Sequence, residues 1–383
     1  MTAAMRWPVP LLLCALALSG CGQPASNGKT VIKIGSASPL TGPQAHLGKD
    51  NENGAQLAVD EINAAGLTIG GKPCQLQLLA EDDQADPKTA TTVAQQLADD
   101  GVAGVVGHLN SGATIPAAKV YSDAGIPQIS PSSTATAYTR LGFRTAFRVM
   151  SNDAQQGGVL GQYAVQTLGA RRIAIIDDRT AYGQGLADEF ARAAGAAGAQ
   201  IVAREYTTDH ATDFLAILTS IKAQDPQLVF FGGMDPQAGP LARQMRQIGL
   251  NAQLLGGDGM QTEQFIRLAG NAATGAIAST PGLPLATMPG GRQFESRFTA
   301  RFGPVQNYAP YAYDAVYVLV DAMKRAGSAD PARYLAQLPS TDYQGVTGRI
   351  RFDAHGDLSS GNITLYKVEG GHWVPLQTLH SRS

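Results

Sequence analysis

The feature that most constrains this chain is a repeated alternation. A short apolar run gives way to a turn of small polar residues, then to a segment whose apolar residues recur with the period of one helical face. Val31-Ile32-Lys33-Ile34-Gly35 reads as a strand, and Gly48 to Ala64 reads as a helix buried through Ala55, Ala58, Val59 and Ile62. Gln75 to Ala80 is a second strand; Asp86-Pro87 then supplies a helix cap followed by proline, with Ala90, Val93, Ala94 and Leu97 facing inward. Val102 to Val106 and Gly125 to Ile129 continue the series with a helix between them. Such alternation predicts an α/β fold, a mainly parallel sheet covered by helices on both faces. No solenoid period is present.

The grammar restarts after Val149. A helix from about Asp153 to Leu168 precedes the strand Arg172 to Asp177, and further pairs follow: helix 185–197, strand 200–206, helix 213–223 and strand 227–231. Asp235-Pro236 repeats the Asp86-Pro87 pattern, so Asp235 reads as a helix cap opening a helix that ends at Gly249, before strand 253–255. Strand 276–280 runs into Pro281-Gly282-Leu283-Pro284, a connection between domains. Three helical patterns at 293–302, 310–325 and 331–338 lack partner strands and are assigned to the first domain. Residues 348–353 and a hairpin turning at Gly370-Gly371 close the chain as β structure. A chain of 383 residues exceeds what one compact core holds, so two doubly wound domains are expected.

The N-terminus carries Arg6 and an apolar run, Pro8 to Leu18, too short to span a bilayer as a helix. It ends in Leu18-Ser19-Gly20-Cys21, which resembles a bacterial lipobox; residues 1–20 are then a lipoprotein signal peptide, 21–29 a tether, and Cys21 the lipid-bearing residue. With 29 basic and 31 acidic residues, no nucleic-acid partner is indicated. Once the signal is removed and Cys21 carries lipid, only Cys74 is left, so an internal disulfide is excluded and a buried inert thiol is expected. The six histidines lack metal-ligand spacing, and no metal or cofactor is expected.

Gly107-His108-Leu109-Asn110-Ser111 and Ser130-Pro131-Ser132-Ser133-Thr134 lie at the carboxyl ends of two neighbouring predicted strands, where open α/β sheets bind ligands. Hydroxyls and free N–H groups there suit a small carboxylate. Taken alone, Ser111 reads equally as an N-cap, Ser132 and Thr134 as turn formers, Tyr182 as core, Asp258 as a loop residue and His108 as a support beneath the loop. Acyl chemistry at the serines would need a positioned base and a nucleophile elbow, and neither motif occurs, so an enzyme is not expected.

These two segments, together with Asp82 to Pro87, Asp178-Arg179-Thr180-Ala181-Tyr182-Gly183-Gln184-Gly185 and Phe352-Asp353-Ala354-His355-Gly356-Asp357, resemble in order the branched-chain amino acid binding proteins of bacterial ABC importers. The resemblance implies a type I periplasmic binding protein: two Rossmann-like domains, 30–149 with 281–353 and 150–280 with 354–383, joined by a three-crossing hinge. Ligand would sit between them. It further implies that Ser111, Ser132 and Thr134 take the ligand carboxylate, Asp258 the ammonium, and Tyr182 closes the cleft. Leu47 and Met234 stand where tyrosines commonly line the side-chain pocket, and Ala85 and Asn110 where the family has cysteines. Implied partners are an amino acid, the importer's membrane subunits and, through Cys21, a membrane; the protein is expected to be a monomer in the periplasm or at the cell surface. The alternative is a sensor of the same fold for amides or other small acids, and Asp258 discriminates, since an amide has no ammonium to pair with it.

Overall fold

The computed structural model describes residues 1–3 and 28–382. The expected signal segment beyond residue 3, the tether to residue 27 and Cys21 lie outside the described residues.

Six strands form the first sheet: β1 (Thr30–Ser38), β2 (Leu67–Ile69), β3 (Lys72–Asp82), β4 (Gly104–Gly107), β5 (Gln128–Ser130) and β6 (Ala146–Arg148), in the order β2-β3-β1-β4-β5-β6. All neighbours are parallel except the β2–β3 pair. The helices in this half are α1 (Ala45–Ala65), α2 (Pro87–Asp99), α3 (Ser111–Ala124) and the single turn α4 (Ala137–Arg140).

The chain then passes to a second sheet. There α5 (Asp153–Gln166) packs on α6 (Ala181–Ala196), with α7 (Leu215–Lys222), α8 (Asp235–Gln247) and α9 (Glu263–Ala269) completing the layers. Its strands are β7 (Arg172–Asp177), β8 (Gln200–Tyr206), β9 (Leu228–Gly232), β10 (Gln253–Gly256) and β11 (Ile277–Pro281). The chain returns through α10 (Gly291–Phe302), α11 (Ala309–Ala326), α12 (Pro331–Tyr334) and the small hairpin β12 (Tyr343–Gln344) and β13 (Arg349–Ile350). It finishes as β14 (Ser360–Glu369) and β15 (His372–Arg382), giving the order β15-β14-β11-β10-β9-β7-β8 with the last two strands antiparallel. Helix α11 lies along α1, and close approach is possible because a Cβ at Gly54 would fall 2.2 Å from the Ala309 carbonyl oxygen.

Two local expectations change. Asp86 does cap its helix, accepting the Thr89 N–H at 2.7 Å, but Asp235 does not cap α8. Met234 is the extended residue before that helix, Asp235 is already helical, and its carboxylate is drawn into tertiary bonds described below. The helical pattern at 331–338 also divides: Asp330 caps α12, but Leu335–Ser340 tightens into a 3-10 helix ahead of Thr341. Cys74 is buried and free.

Where the three crossings run side by side, Arg148 is completely buried. Its guanidinium donates to Asp357 Oδ1 (2.9 and 2.6 Å), to the carbonyls of Ser133 (2.8 Å) and Ala135 (2.9 Å), and to the Thr139 hydroxyl (2.9 Å). Asn152 and Thr139 donate to the same Asp357 carboxylate. Burial pushes that carboxyl up, yet Arg148 and these donors outweigh it and hold the group below the ordinary range.

Candidate functional site

The first wall is built on the ends of β4 and β5. Beneath it His108 is fully buried between Asp83 (2.7 Å) and the Tyr121 hydroxyl (3.0 Å), which anchors the turn into α3. Asn110 is the extended residue before α3, so Ser111 begins the helix and its hydroxyl is free for another task. Ser111 Oγ accepts the Ala135 N–H (3.2 Å) and the Ser133 hydroxyl (3.1 Å). Ser132 Oγ accepts from Asn51 of α1 (3.1 Å). Thr134 is completely buried, and its carbonyl accepts the Asp153 N–H (2.8 Å). The structure thus gathers Ser111, Ser132 and Thr134 at one place, with the Arg148 bonds to the Ser133 and Ala135 carbonyls fixing the loop that carries two of them.

Facing it, Asp258 is the centre of the second wall. Its Oδ1 accepts from Gln156 (2.9 Å) and the Tyr182 hydroxyl (3.0 Å), and its Oδ2 from the Tyr308 hydroxyl (2.7 Å). Gln156 is oriented in turn by Ser279, whose hydroxyl donates to it at 2.6 Å. Tyr182 sits in the first turn of α6 and also accepts the Gly259 N–H (2.9 Å). Small residues flanking Asp258 are required, because a Cβ at Gly257 would fall 2.7 Å from the Tyr182 oxygen and one at Gly259 2.5 Å from Met234 Sδ. Tyr308 comes from the first half, where Asp50 accepts the N–H groups of Gln306, Asn307, Tyr308 and Ala309 and so seats the start of α11.

The electrostatics point one way. Burial raises the Asp258 carboxyl, with the hydroxyls of Tyr308 and Tyr182 and the Gln156 amide opposing it. Burial also drives Asp153 up to about 8; the Thr134 hydroxyl opposes this, while Asp258 adds to it. Among the described residues neither Asp258 nor Asp153 has an ion pair. Two carboxyls taken out of water without a cation are poised to gain from one.

A cavity of about 470 Å³ is lined by Asn110 and Ser111 from one half and by Asp178, Tyr182 and Met234 from the other, while Ser132, Thr134 and Asp258 are buried and do not line it. Leu47 is fully buried in the apolar core and is not among the residues lining this cavity; its neighbour His46 reaches across instead, 2.8 Å from Asp235 Oδ2, which also accepts from Thr262 (2.6 Å). Asn307 adds a second bridge to the carbonyls of Asp258 (3.3 Å) and Gln261 (2.8 Å).

A family model described as periplasmic binding protein matches residues 31–372. The chain belongs to the periplasmic binding protein family. This is a family of extracytoplasmic substrate-binding proteins, and the relatives of this periplasmic binding protein carry matching names. It is 37% identical to an amino acid binding protein of Pseudomonas aeruginosa, over 93% of this chain and 95% of the relative. It is 34% identical to the leucine-, isoleucine-, valine-, threonine- and alanine-binding protein of the same organism, over 93% of this chain and 94% of that one. Among solved structures it superposes on the leucine binding protein LivK of Thermotoga maritima with a TM-score of 0.85 at 25% identity, covering 91% of this chain and 98% of that one. The branched-chain amino acid binding protein LivJ of Streptococcus pneumoniae, solved with isoleucine, gives 0.81 at 29% identity, covering 93% and 100%. The fold is accordingly that of a type I periplasmic binding protein.

Sequence reasoning missed Gln156, Tyr308, Asp50, Asp153 and the His46–Asp235 bridge. The only local trace was Asn152 to Gln155, a capping-box pattern that marks the start of α5 and so places Asp153 and Gln156 in its first turns. Ala85 and Asn110, standing where the family's cysteines would be, are not bridged; Asn110 donates to Gln44 instead (2.7 Å).

Proposed function

We propose that this protein captures an amino acid of the leucine, isoleucine and valine class between its two halves and delivers it to the membrane subunits of an ABC importer. The observation that carries the ligand class is the opposition of two unlike walls: hydroxyls and N–H groups at Ser111, Ser132 and Thr134, and a buried, unpaired Asp258 facing them. A zwitterion satisfies both at once. Its carboxylate takes charge-assisted bonds worth about 1.5–3 kcal/mol each, and its ammonium supplies the cation that Asp258 lacks. An amide ligand would leave Asp258 uncompensated, which disfavours the sensor reading. Tyr182 and Met234 are assigned to closure and to the side-chain pocket.

In this reading residues 30–149 with 281–353, and 150–280 with 354–383, are lobes that close about the crossings near Arg148 and Asp357. Ligand selects the closed state because only that state offers both walls. Cys21 is the lipid anchor, the protein acts as a monomer, and it has no catalytic activity; turnover of ester or amide substrates above blank would contradict the last point. The function itself is tested by titration calorimetry across the amino acids. Leucine, isoleucine, valine or a neighbour such as phenylalanine should bind with one-to-one stoichiometry, and silence across the panel would refute the amino acid assignment.

A further inference from the structure

Three side chains hold the Asp258 carboxylate, and they do not come from the same half. Gln156 of α5 and Tyr182 of α6 share a half with Asp258 and both donate to Oδ1 (2.9 and 3.0 Å), whereas the Tyr308 hydroxyl reaches Oδ2 (2.7 Å) from the other half. Oδ2 therefore has the greater room for a further N–H. All three donors are neutral, so they support the negative charge without cancelling it. Burial raises the Asp258 carboxyl, and the Tyr308 bond is the strongest of those that oppose this. The phenol is fixed from behind: Asp50, buried on α1, accepts the N–H groups of Asn307 (3.1 Å), Tyr308 (2.7 Å) and Ala309 (2.8 Å), and the Asn307 amide alongside donates to the carbonyls of Asp258 and Gln261. Tyr308 and Asp258 are 2% and 1% exposed, so their bond is made out of water.

We propose that Tyr308 is a positioning residue for the ligand's ammonium: closing the halves brings its hydroxyl onto Asp258 Oδ2 and fixes the carboxylate with its open side towards the amine. This rests on the amino acid reading above and adds that the ammonium site is complete only when both halves meet on it. When the halves part, Tyr308 leaves with its own half, and Asp258 keeps only Gln156 and Tyr182. Recognition of the amine and closure are thereby coupled through one phenol oxygen. A lysine or arginine at this place would bring the cation that the ligand is to supply; a tyrosine supports the carboxylate and leaves its charge unpaired. The rival role is that of a clamp, which would favour the closed state equally for any ligand, with or without an amine.

The test is a double-mutant cycle on leucine affinity, measured by titration calorimetry with the full chain, Tyr308→Phe, Asp258→Asn and the double variant. Tyr308→Phe keeps the buried ring and removes only the hydroxyl. It should cost about tenfold or more in the natural background, the size of one hydrogen bond to a charged group, and less than about threefold in Asp258→Asn, where no carboxylate remains to be positioned. Should Asp258→Asn bind too weakly or fail to melt cooperatively, the amine is cut from the ligand instead: 4-methylpentanoate, measured by its displacement of leucine, should lose less than about threefold on Tyr308→Phe. The proposal is overturned if Tyr308→Phe costs less than about tenfold in the natural background. It is equally overturned if the loss is the same with and without the Asp258 carboxylate, or with and without the ligand amine, since that is the behaviour of a clamp. Silence of the natural protein towards leucine, isoleucine and valine would remove the amino acid reading and this inference together, whereas normal leucine binding with equal losses removes the inference alone.

Discussion

Asp153 shows how a single residue can record the demands of a site. It begins α5, where a carboxylate would ordinarily be stabilised by the helix N-terminus, yet it is fully buried and its carboxyl is pushed up to about 8. The folded protein therefore keeps a proton that the unfolded chain releases near pH 4. The sign follows: stability falls as pH rises from about 4 towards 8, because deprotonation favours the unfolded state across that window. Asp153→Asn removes this titration, so its melting temperature should decline less than that of the natural protein between pH 5 and pH 8, with a relative gain on the order of 2–4 kcal/mol at the upper end. A pair of thermal melts at the two pH values reads the difference; parallel shifts in both proteins would show that Asp153 is not protonated in the native state. Asp258 was legible in the sequence only through the family resemblance, and its neighbours were not legible at all. Gln156 and Tyr308 lie 102 and 50 residues away from it, the first in the same half and the second in the other, and nothing in local periodicity links positions so far apart in the chain.

Elements were easier to read, because helices and strands are fixed by patterns a few residues long. Strands 172–177 and 200–206 needed no change of bounds, the first a buried apolar run and the second a partly exposed edge strand, each ending at a polar turn. The exceptions have tertiary causes. Asp235 has the local pattern of a cap, but two tertiary donors, His46 and Thr262, claim its carboxylate. Helix α9 went unread because its short apolar face, Phe265 and Ala269, carries too little periodicity to stand out. Two predictions belong at this scale. Asp50 satisfies N–H groups at the start of α11 that would otherwise be orphaned, so Asp50→Ala should cost about 2–4 kcal/mol in a denaturant melt; a loss below 0.5 kcal/mol would mean that the backbone finds other acceptors. His46 joins α1 to α8 from one half to the other, so the proposed opening of the halves would break this bond. His46→Ala should therefore weaken ligand binding roughly three- to tenfold through loss of about one hydrogen bond from the closed state, while leaving the denaturation midpoint of the ligand-free protein nearly unchanged. A large fall in that midpoint with unaltered affinity would make the bridge a structural contact only.

For the whole molecule, the decisive fact is that two sheets are tied by three crossings and share one polar site. The buried Arg148–Asp357 pair stands at those crossings and also holds the Ser133 and Ala135 carbonyls, so the crossings and the loop that carries Ser132 and Thr134 are one hydrogen-bonded unit. Breaking it by Asp357→Ala would leave a buried guanidinium uncompensated and should destabilise by about 3–5 kcal/mol. Because the Asp357 carboxyl is held low, its contribution is present above the ordinary carboxylate range and is lost only as pH falls through its folded value, so acid unfolding should begin at higher pH in the variant. Alternating strands and helices made the doubly wound halves legible from sequence, whereas the site between them depends on how the halves face each other, which no local pattern encodes. The central claim is that this site holds an amino acid by both charged ends, with the ammonium on Asp258. Its most direct test is calorimetric titration of the natural protein with leucine and with 4-methylpentanoate, the same molecule without its amine. Leucine should bind at least a hundredfold more tightly; equal affinity for the two would contradict the role of Asp258 and the account built on it.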